Sequence, residues 1–124
     1  MICPKCSSKM QIVAYEGIYL DRCVGCKGLW FDALEHEHLA AIKGSEAIDL
    51  GSDELGERFN DVDDIDCPSC GAAMLKMVDA RQPHIWYEGC PSCFGVFFDA
   101  GEFRDYKEKT VMDFFRDLFT KERI

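Results

Sequence analysis

A cysteine pattern written twice constrains this chain more than any other feature. Cys3-x-x-Cys6 and Cys23-x-x-Cys26 enclose sixteen residues, while Cys67-x-x-Cys70 and Cys90-x-x-Cys93 enclose nineteen. Behind the second pair of each copy runs the same text: Gly28, Leu29-Trp30-Phe31 and Asp32-Ala33-Leu34-Glu35 in one, Gly95, Val96-Phe97-Phe98 and Asp99-Ala100-Gly101-Glu102 in the other. Met10 and Met74 follow the first pairs at equal distance. The offset between copies is 64 at the methionines (74 − 10) and 67 at the second pairs (90 − 23), so the chain is a duplication with one short insertion in the loop of the second copy.

Each repeat spans roughly 40 residues, a size at which apolar burial alone seldom sustains a fold. Something else must hold each module, and the eight cysteines, all in pairs, offer bridges or metal. The N-terminal residues show no charged-then-apolar leader, and no run approaches transmembrane length, so a soluble, cytoplasmic protein without membrane contact is expected. In a reducing compartment paired cysteines read as metal ligands. Thiolates are soft, and four of them close a tetrahedral site around zinc. Cys3, Cys6, Cys23 and Cys26 are therefore expected to hold one zinc ion, and Cys67, Cys70, Cys90 and Cys93 a second. Iron suits the same sulfurs. A closed site leaves no position for a water ligand, which argues against metal-assisted hydrolysis and for a protein that is not an enzyme.

Within the first module, Gln11–Tyr15 and Ile18–Arg22 are rich in β-branched and aromatic residues, and Glu16-Gly17 between them fits a two-residue hairpin turn. Leu29-Trp30-Phe31 reads as a third strand. Asp32 and Glu35 have the spacing of a helix capping box, with the helix apolar at Leu34, Leu39 and Ile42 and ending near Lys43-Gly44. His36 and His38, two apart on that helix, read as surface residues. The second module repeats the plan, with strands over 74–79, 84–88 and 96–98, and with Phe98 and Phe103 placed for a hydrophobic staple. His84 reads as a strand residue remote from the cysteines.

The formal charge of −9 is concentrated between the modules, where residues 44–66 carry nine acidic residues against Arg58 alone. This stretch reads as a solvated spacer, with Leu55 and Phe59 placed for a short helical turn; docking of a basic partner is the alternative. Four thiolates leave each zinc site doubly negative, so the whole molecule repels a phosphate backbone except through a local patch, for which Lys5, Lys9, Arg22 and Lys27 are the candidates. The final helix is expected to run to the chain end, with Val111, Phe114, Phe115, Leu118 and Phe119 on one stripe widened by Met112.

The run Cys-Pro-x-Cys, then Cys-x-x-Cys-x-Gly-x-Trp/Phe-Phe-Asp-Ala-x-Glu, resembles the transcription factor IIB-type zinc-ribbon family. The resemblance covers Cys3 to about Glu37 and Cys67 to about Asp105. It implies zinc ribbons with zinc held by four cysteines. The chain departs at Ser7, Lys27, Leu34 and Phe94, where the family tends to have glycine, all of them turn positions rather than ligands. The family name invites a transcriptional role, by analogy only.

The expectation is thus a small metal-stabilised α+β protein: a zinc ribbon with helix over 1–44, an acidic linker over 45–66, and a second ribbon with an extended amphipathic C-terminal helix over 67–124. Each ribbon is expected to form its own sheet and to depend on its own zinc. The functional reading is a non-enzymatic protein-interaction module acting through Val111, Phe114, Phe115, Leu118 and Phe119, on itself or on a protein partner. The alternatives are a nucleic-acid-associated transcription factor and a thiol-based redox or metal sensor.

Overall fold

The computed structural model describes residues 1–62, 64–79 and 82–107. Strands β1 (Met10–Tyr15), β2 (Ile18–Cys23) and β3 (Leu29–Phe31) form the first ribbon, and β4 (Leu75–Asp79), β5 (Gln82–Gly89) and β6 (Val96–Phe98) the second. Helix α1 (Glu35–Ala40), a 3-10 turn (Ser45–Ile48) and α2 (Asp53–Asn60) lie between them, and residues 102–107 form a further helical segment, α3. The expected continuation of α3 and its apolar stripe lie outside the described residues.

Glu16 and Gly17 take φ of 50° and 80°, the left-handed pair that a two-residue turn requires, and close β1 on β2 with Tyr15 opposite Ile18. The insertion in the second copy lengthens the corresponding strand: β5 begins at Gln82, two residues before the sequence pattern indicated.

The ribbons do not make separate sheets. Strands β3 and β6 pair antiparallel, giving one six-stranded sheet in the order β1-β2-β3-β6-β5-β4. Trp30 faces Phe97, flanked by Leu29 with Phe98 and Phe31 with Val96. Because Trp30 and Phe97 are the same position of the repeat, a pseudo-twofold axis runs through this pair.

Alternation along the two central strands assigns their side chains to opposite faces. One face buries Trp30 and Phe97 with five of the cysteines, Met10 and Met74; the other buries Leu29, Phe31, Val96 and Phe98 with Leu20, Leu39, Ile48, Ile85 and Phe103. Phe98 and Phe103 meet edge to face at 6.1 Å between centroids, as expected of a staple. His36 is not a surface residue but half-buried on this face, 5.9 Å from the Phe98 ring and 5.8 Å from that of Tyr106.

Neither capping box forms. Leu34, left-handed at φ 67° and exposed, precedes α1, so the helix starts two residues later than the Asp32 cap required and ends at Ala40, before Lys43-Gly44. In the second copy the Asp99 carboxylate is taken by a buried cation, and the cap of α3 comes from elsewhere in the chain. Asp49 accepts from the Gly101 N–H at 2.9 Å and from the Arg104 N–H at 3.1 Å, donors at the start of α3 that lie two residues beyond those of the Asp99 box.

The acidic stretch is accordingly part of the fold rather than a free spacer. Ser45, Ile48, Asp49, Gly51, Gly56 and Ile65 are buried, while Glu46, Asp53, Glu54, Glu57, Asp61, Asp64 and Asp66 stay exposed. Gly56 lets α2 lie directly on the second ribbon, since a Cβ there would stand 2.0 Å from the Ala100 carbonyl oxygen.

The seam shows why each copy keeps a glycine two residues after its second cysteine pair. A Cβ on Gly28 would stand 2.2 Å from the Phe97 ring, and one on Gly95 would stand 2.3 Å from the Trp30 ring. Each glycine seats the aromatic side chain of the other ribbon. Gly95→Ala should therefore displace Trp30 at a cost of about 1–3 kcal/mol, as for an overpacked core. Thermal unfolding of the zinc-loaded variant should show the midpoint lowered by several degrees; an unchanged midpoint would show that the seam tolerates separation.

Candidate metal centres

In each copy the first cysteine pair sits on a turn closed by the backbone, with Cys3 N–H donating to Ser8 O at 2.9 Å and Cys67 N–H to Ala72 O at 2.7 Å. Isolated bridges Ile2–Lys9 and Asp66–Ala73 fix the flanks of these turns. The second pair sits on a matching turn after β2 or β5, where Cys23 N–H bonds Gly28 O and Cys90 N–H bonds Gly95 O, both at 2.9 Å. The strands carry the two turns face to face.

Each set of four sulfurs thereby converges, with all ligand atoms of a set within 4.8 Å of one another. In the first set Cys3 and Cys26 lie 3.7 Å apart and Cys6 and Cys23 3.3 Å. In the second Cys67 and Cys93 lie 3.6 Å apart and Cys70 and Cys90 3.4 Å. Zinc–sulfur bonds of ~2.3 Å set at tetrahedral angles demand sulfurs about 3.8 Å apart. The two clusters fit two zinc ions.

Backbone amides serve the sulfurs as well. Cys23 Sγ accepts from the N–H groups of Gly25 at 3.3 Å and Cys26 at 3.4 Å; Cys67 Sγ accepts from Ser69 and Cys70, and Cys90 Sγ from Cys93, each at 3.4 Å. Such bonds disperse thiolate charge and orient the ligand. Ser7, Lys27, Leu34 and Phe94, where the family tends to have glycine, all adopt positive φ between 63° and 67°. The turn geometry is thus retained without glycine, three of these residues lying in the cysteine turns and Leu34 at the start of α1.

Without metal the charge of a set is shared unevenly. The hydrogen bond with Cys26 pulls the Cys3 thiol down to about 5 and pushes Cys26 up. Burial pushes Cys93 up to about 12; burial acts upward on Cys90 too, but the N–H groups of Cys93 and Ser92 bring it down to about 6. Binding of zinc displaces the remaining protons.

Between the centres lies a buried charge cluster that sequence reasoning missed. The Lys5 ammonium, wholly buried, contacts Glu88 Oε1 at 2.7 Å, Asp99 Oδ2 at 2.8 Å and the Phe59 carbonyl at 2.9 Å, and lies 5.6 Å from the Phe97 ring centre. Burial pushes Glu88 up to about 6 against the pull of Lys5, and raises Asp99 in the same way. Lys5 belongs to the first ribbon, Glu88 and Asp99 to the second and Phe59 to α2, so the cluster ties three segments together. This placement also dismantles the expected basic patch: Lys5 is inaccessible and the Arg22 guanidinium donates to Ile48 O at 3.0 Å, leaving Lys9 exposed and Lys27 half-buried. The two described histidine side chains, His36 and His38, belong to neither sulfur cluster, as expected of non-ligands.

Sheet, knuckles and sulfur clusters together define a tandem zinc ribbon. The family described as transcription factor zinc-finger, of the transcription factor IIB zinc-ribbon type, matches residues 2–42 and 66–109, and the chain belongs to it. No curated protein and no solved structure matches the chain.

Both clusters share one core with Trp30 and Phe97, which revises the expectation that each ribbon stands on its own metal. Elemental analysis of the purified protein should return two zinc ions per chain. Structural zinc contributes ~10–16 kcal/mol apparent at neutral pH in finger peptides, more than a typical domain's whole stability. Cys26→Ser should therefore lose the first ion and also lower the melting midpoint of the second ribbon. A second ribbon melting at the wild-type temperature in that variant would show that the seam carries no coupling.

Proposed function

We propose that the chain is a non-enzymatic, cytoplasmic protein-interaction module, in which two zinc ions hold a rigid scaffold and the residues after α3 supply the contact. The observation that carries the structural role of the metal is that each centre gathers four cysteine sulfurs within 4.8 Å of one another, seven of the eight cysteines belonging to or packing against the shared core. No coordination position is left for a substrate or water. Cytosolic thiols stay reduced, in keeping with eight cysteines used as ligands. No helix among the described residues is long and apolar enough to cross a membrane.

For the contact itself the support is the sequence. Val111, Phe114, Phe115, Leu118 and Phe119 fall at spacings of three and four, and apolar stripes that face water mark interfaces. Burying one such side chain is worth ~1.5–3 kcal/mol, so association of the stripe with itself or a protein partner removes a large cost. Phe115→Asp should leave zinc content and melting midpoint nearly unchanged while abolishing the larger species seen by light scattering. A wild type that is monomeric, binds nothing through these residues, and loses several degrees on that substitution would show that the stripe packs within the chain instead.

The family's description supports a second reading, a nucleic-acid-associated transcription factor. The net charge of −9 and the internal use of Lys5 count against it. Duplex DNA should accordingly show no mobility shift at micromolar protein and physiological salt. Binding there that weakens steeply as salt rises would favour the transcriptional reading over the first.

A further inference from the structure

The two metal centres use the same ligand positions but are not equally covered. In the first, Cys3, Cys23 and Cys26 are buried and Cys6 is partly covered; in the second, Cys67 and Cys90 are buried, Cys93 is partly covered and Cys70 is exposed. Cys6 and Cys70 are the same position of the repeat, so the difference comes from their surroundings. Lys5, beside Cys6, anchors its turn in the core between the ribbons, whereas the corresponding Ser69 is exposed and only its backbone N–H bonds the cluster, at 3.4 Å from Cys67 Sγ. Cys70 is thus the one ligand of the two sets that is openly accessible. Its sulfur lies 3.4 Å from that of buried Cys90.

We propose that the second centre is an oxidation site at which Cys70 reacts first and Cys90 resolves it, so that a peroxide opens the second ribbon before the first. The chemistry balances with hydrogen peroxide as the only oxidant. The Cys70 thiolate attacks one peroxide oxygen, the O–O bond breaks, and the departing hydroxide takes a proton to become water, leaving a sulfenic acid. The Cys90 thiolate then attacks the Cys70 sulfur, the S–O bond breaks, and a second hydroxide leaves as water. The two sulfurs have lost two electrons and peroxide has gained them. Closing 3.4 Å to the ~2.05 Å of a disulfide requires a small movement of an exposed turn, and it withdraws two of the four ligands from the ion.

The test uses the full zinc-loaded chain treated with sub-stoichiometric hydrogen peroxide, followed by isotope-coded alkylation and peptide mapping at successive times. Cys70 and Cys90 should lose alkylatable thiol several-fold faster than Cys6 and Cys23, and the first cross-linked peptide should join Cys70 to Cys90. A metal-indicator dye should register zinc release in step with that cross-link. The proposal is overturned if the first set oxidises as fast as the second, if the first disulfide joins Cys67 to Cys93, or if Cys70 proceeds to sulfinic acid with no disulfide.

Discussion

The structure rests on a reciprocal exchange of rings across the β3–β6 seam. Trp30 of one ribbon lies over Gly95 of the other, and Phe97 lies over Gly28, so neither cysteine turn completes its packing without the opposite copy. A single ribbon of this size would leave its third strand as an open edge, with a bare aromatic side chain beside its metal. Pairing the two edges satisfies the backbone groups and buries both rings in one step. The duplication is therefore more than two beads on a string: the second copy is the surface against which the first is folded.

The segment between the copies breaks the symmetry that the seam creates. Its Asp49 caps α3 of the second ribbon, Gly51 and Gly56 pack on Ala100, and the Phe59 carbonyl helps hold Lys5. Arg104 answers by donating to the carbonyls of Asp49 and Gly51 at 3.3 and 2.7 Å. Most of these contacts fall on the second copy, while Lys5, Lys27 beside Gly51, and Arg22 donating to Ile48 O tie the segment to the first. Gly101 at φ 85° sits there where the first copy has Leu34 at φ 67°, and a Cβ on Gly101 would stand 2.1 Å from Asp53 Oδ1. Where Asp53 stands against the turn the glycine is kept, and at the corresponding position of the first copy the side chain of Leu34 is exposed.

Much of this was readable from the residues, and the failures have physical causes. The strands, the hairpin turn at Glu16-Gly17 and the eight sulfurs followed from local chemistry, since turn type and ligand spacing are short-range properties. The shared sheet did not, because a strand of three residues carries no mark of its partner; the signal available was the pair of matched glycines, whose spacing from the rings is the same in both copies. The acidic stretch misled through composition. Its exposed acids outnumber its anchors, yet Ile48, Phe59 and Ile65, with two glycines for close approach, suffice to bind it to the sheet. The capping boxes failed for a third reason. Asp99 was the right residue type in the right place, but a buried ammonium competes for its carboxylate more strongly than peptide N–H groups do, and a distant Asp49 was free to replace it.

Metal energetics explain how the turns tolerate residues that the backbone disfavours. A non-glycine residue in the left-handed region costs roughly 1–2 kcal/mol, and Ser7, Lys27 and Phe94 all occupy it within the cysteine turns. The sum, about 3–6 kcal/mol, would exhaust the stability of many small domains. It is small beside the ~10–16 kcal/mol of one structural zinc ion. Because the ligand set dictates the turn, the side chain at that position is released from the demand for glycine, provided it points to solvent. Phe94 does so, 68% exposed immediately after a ligand. The same logic confines variation elsewhere: Gly28 and Gly95 have no such freedom, since what excludes a side chain there is the neighbouring ring, and metal affinity cannot make room for it.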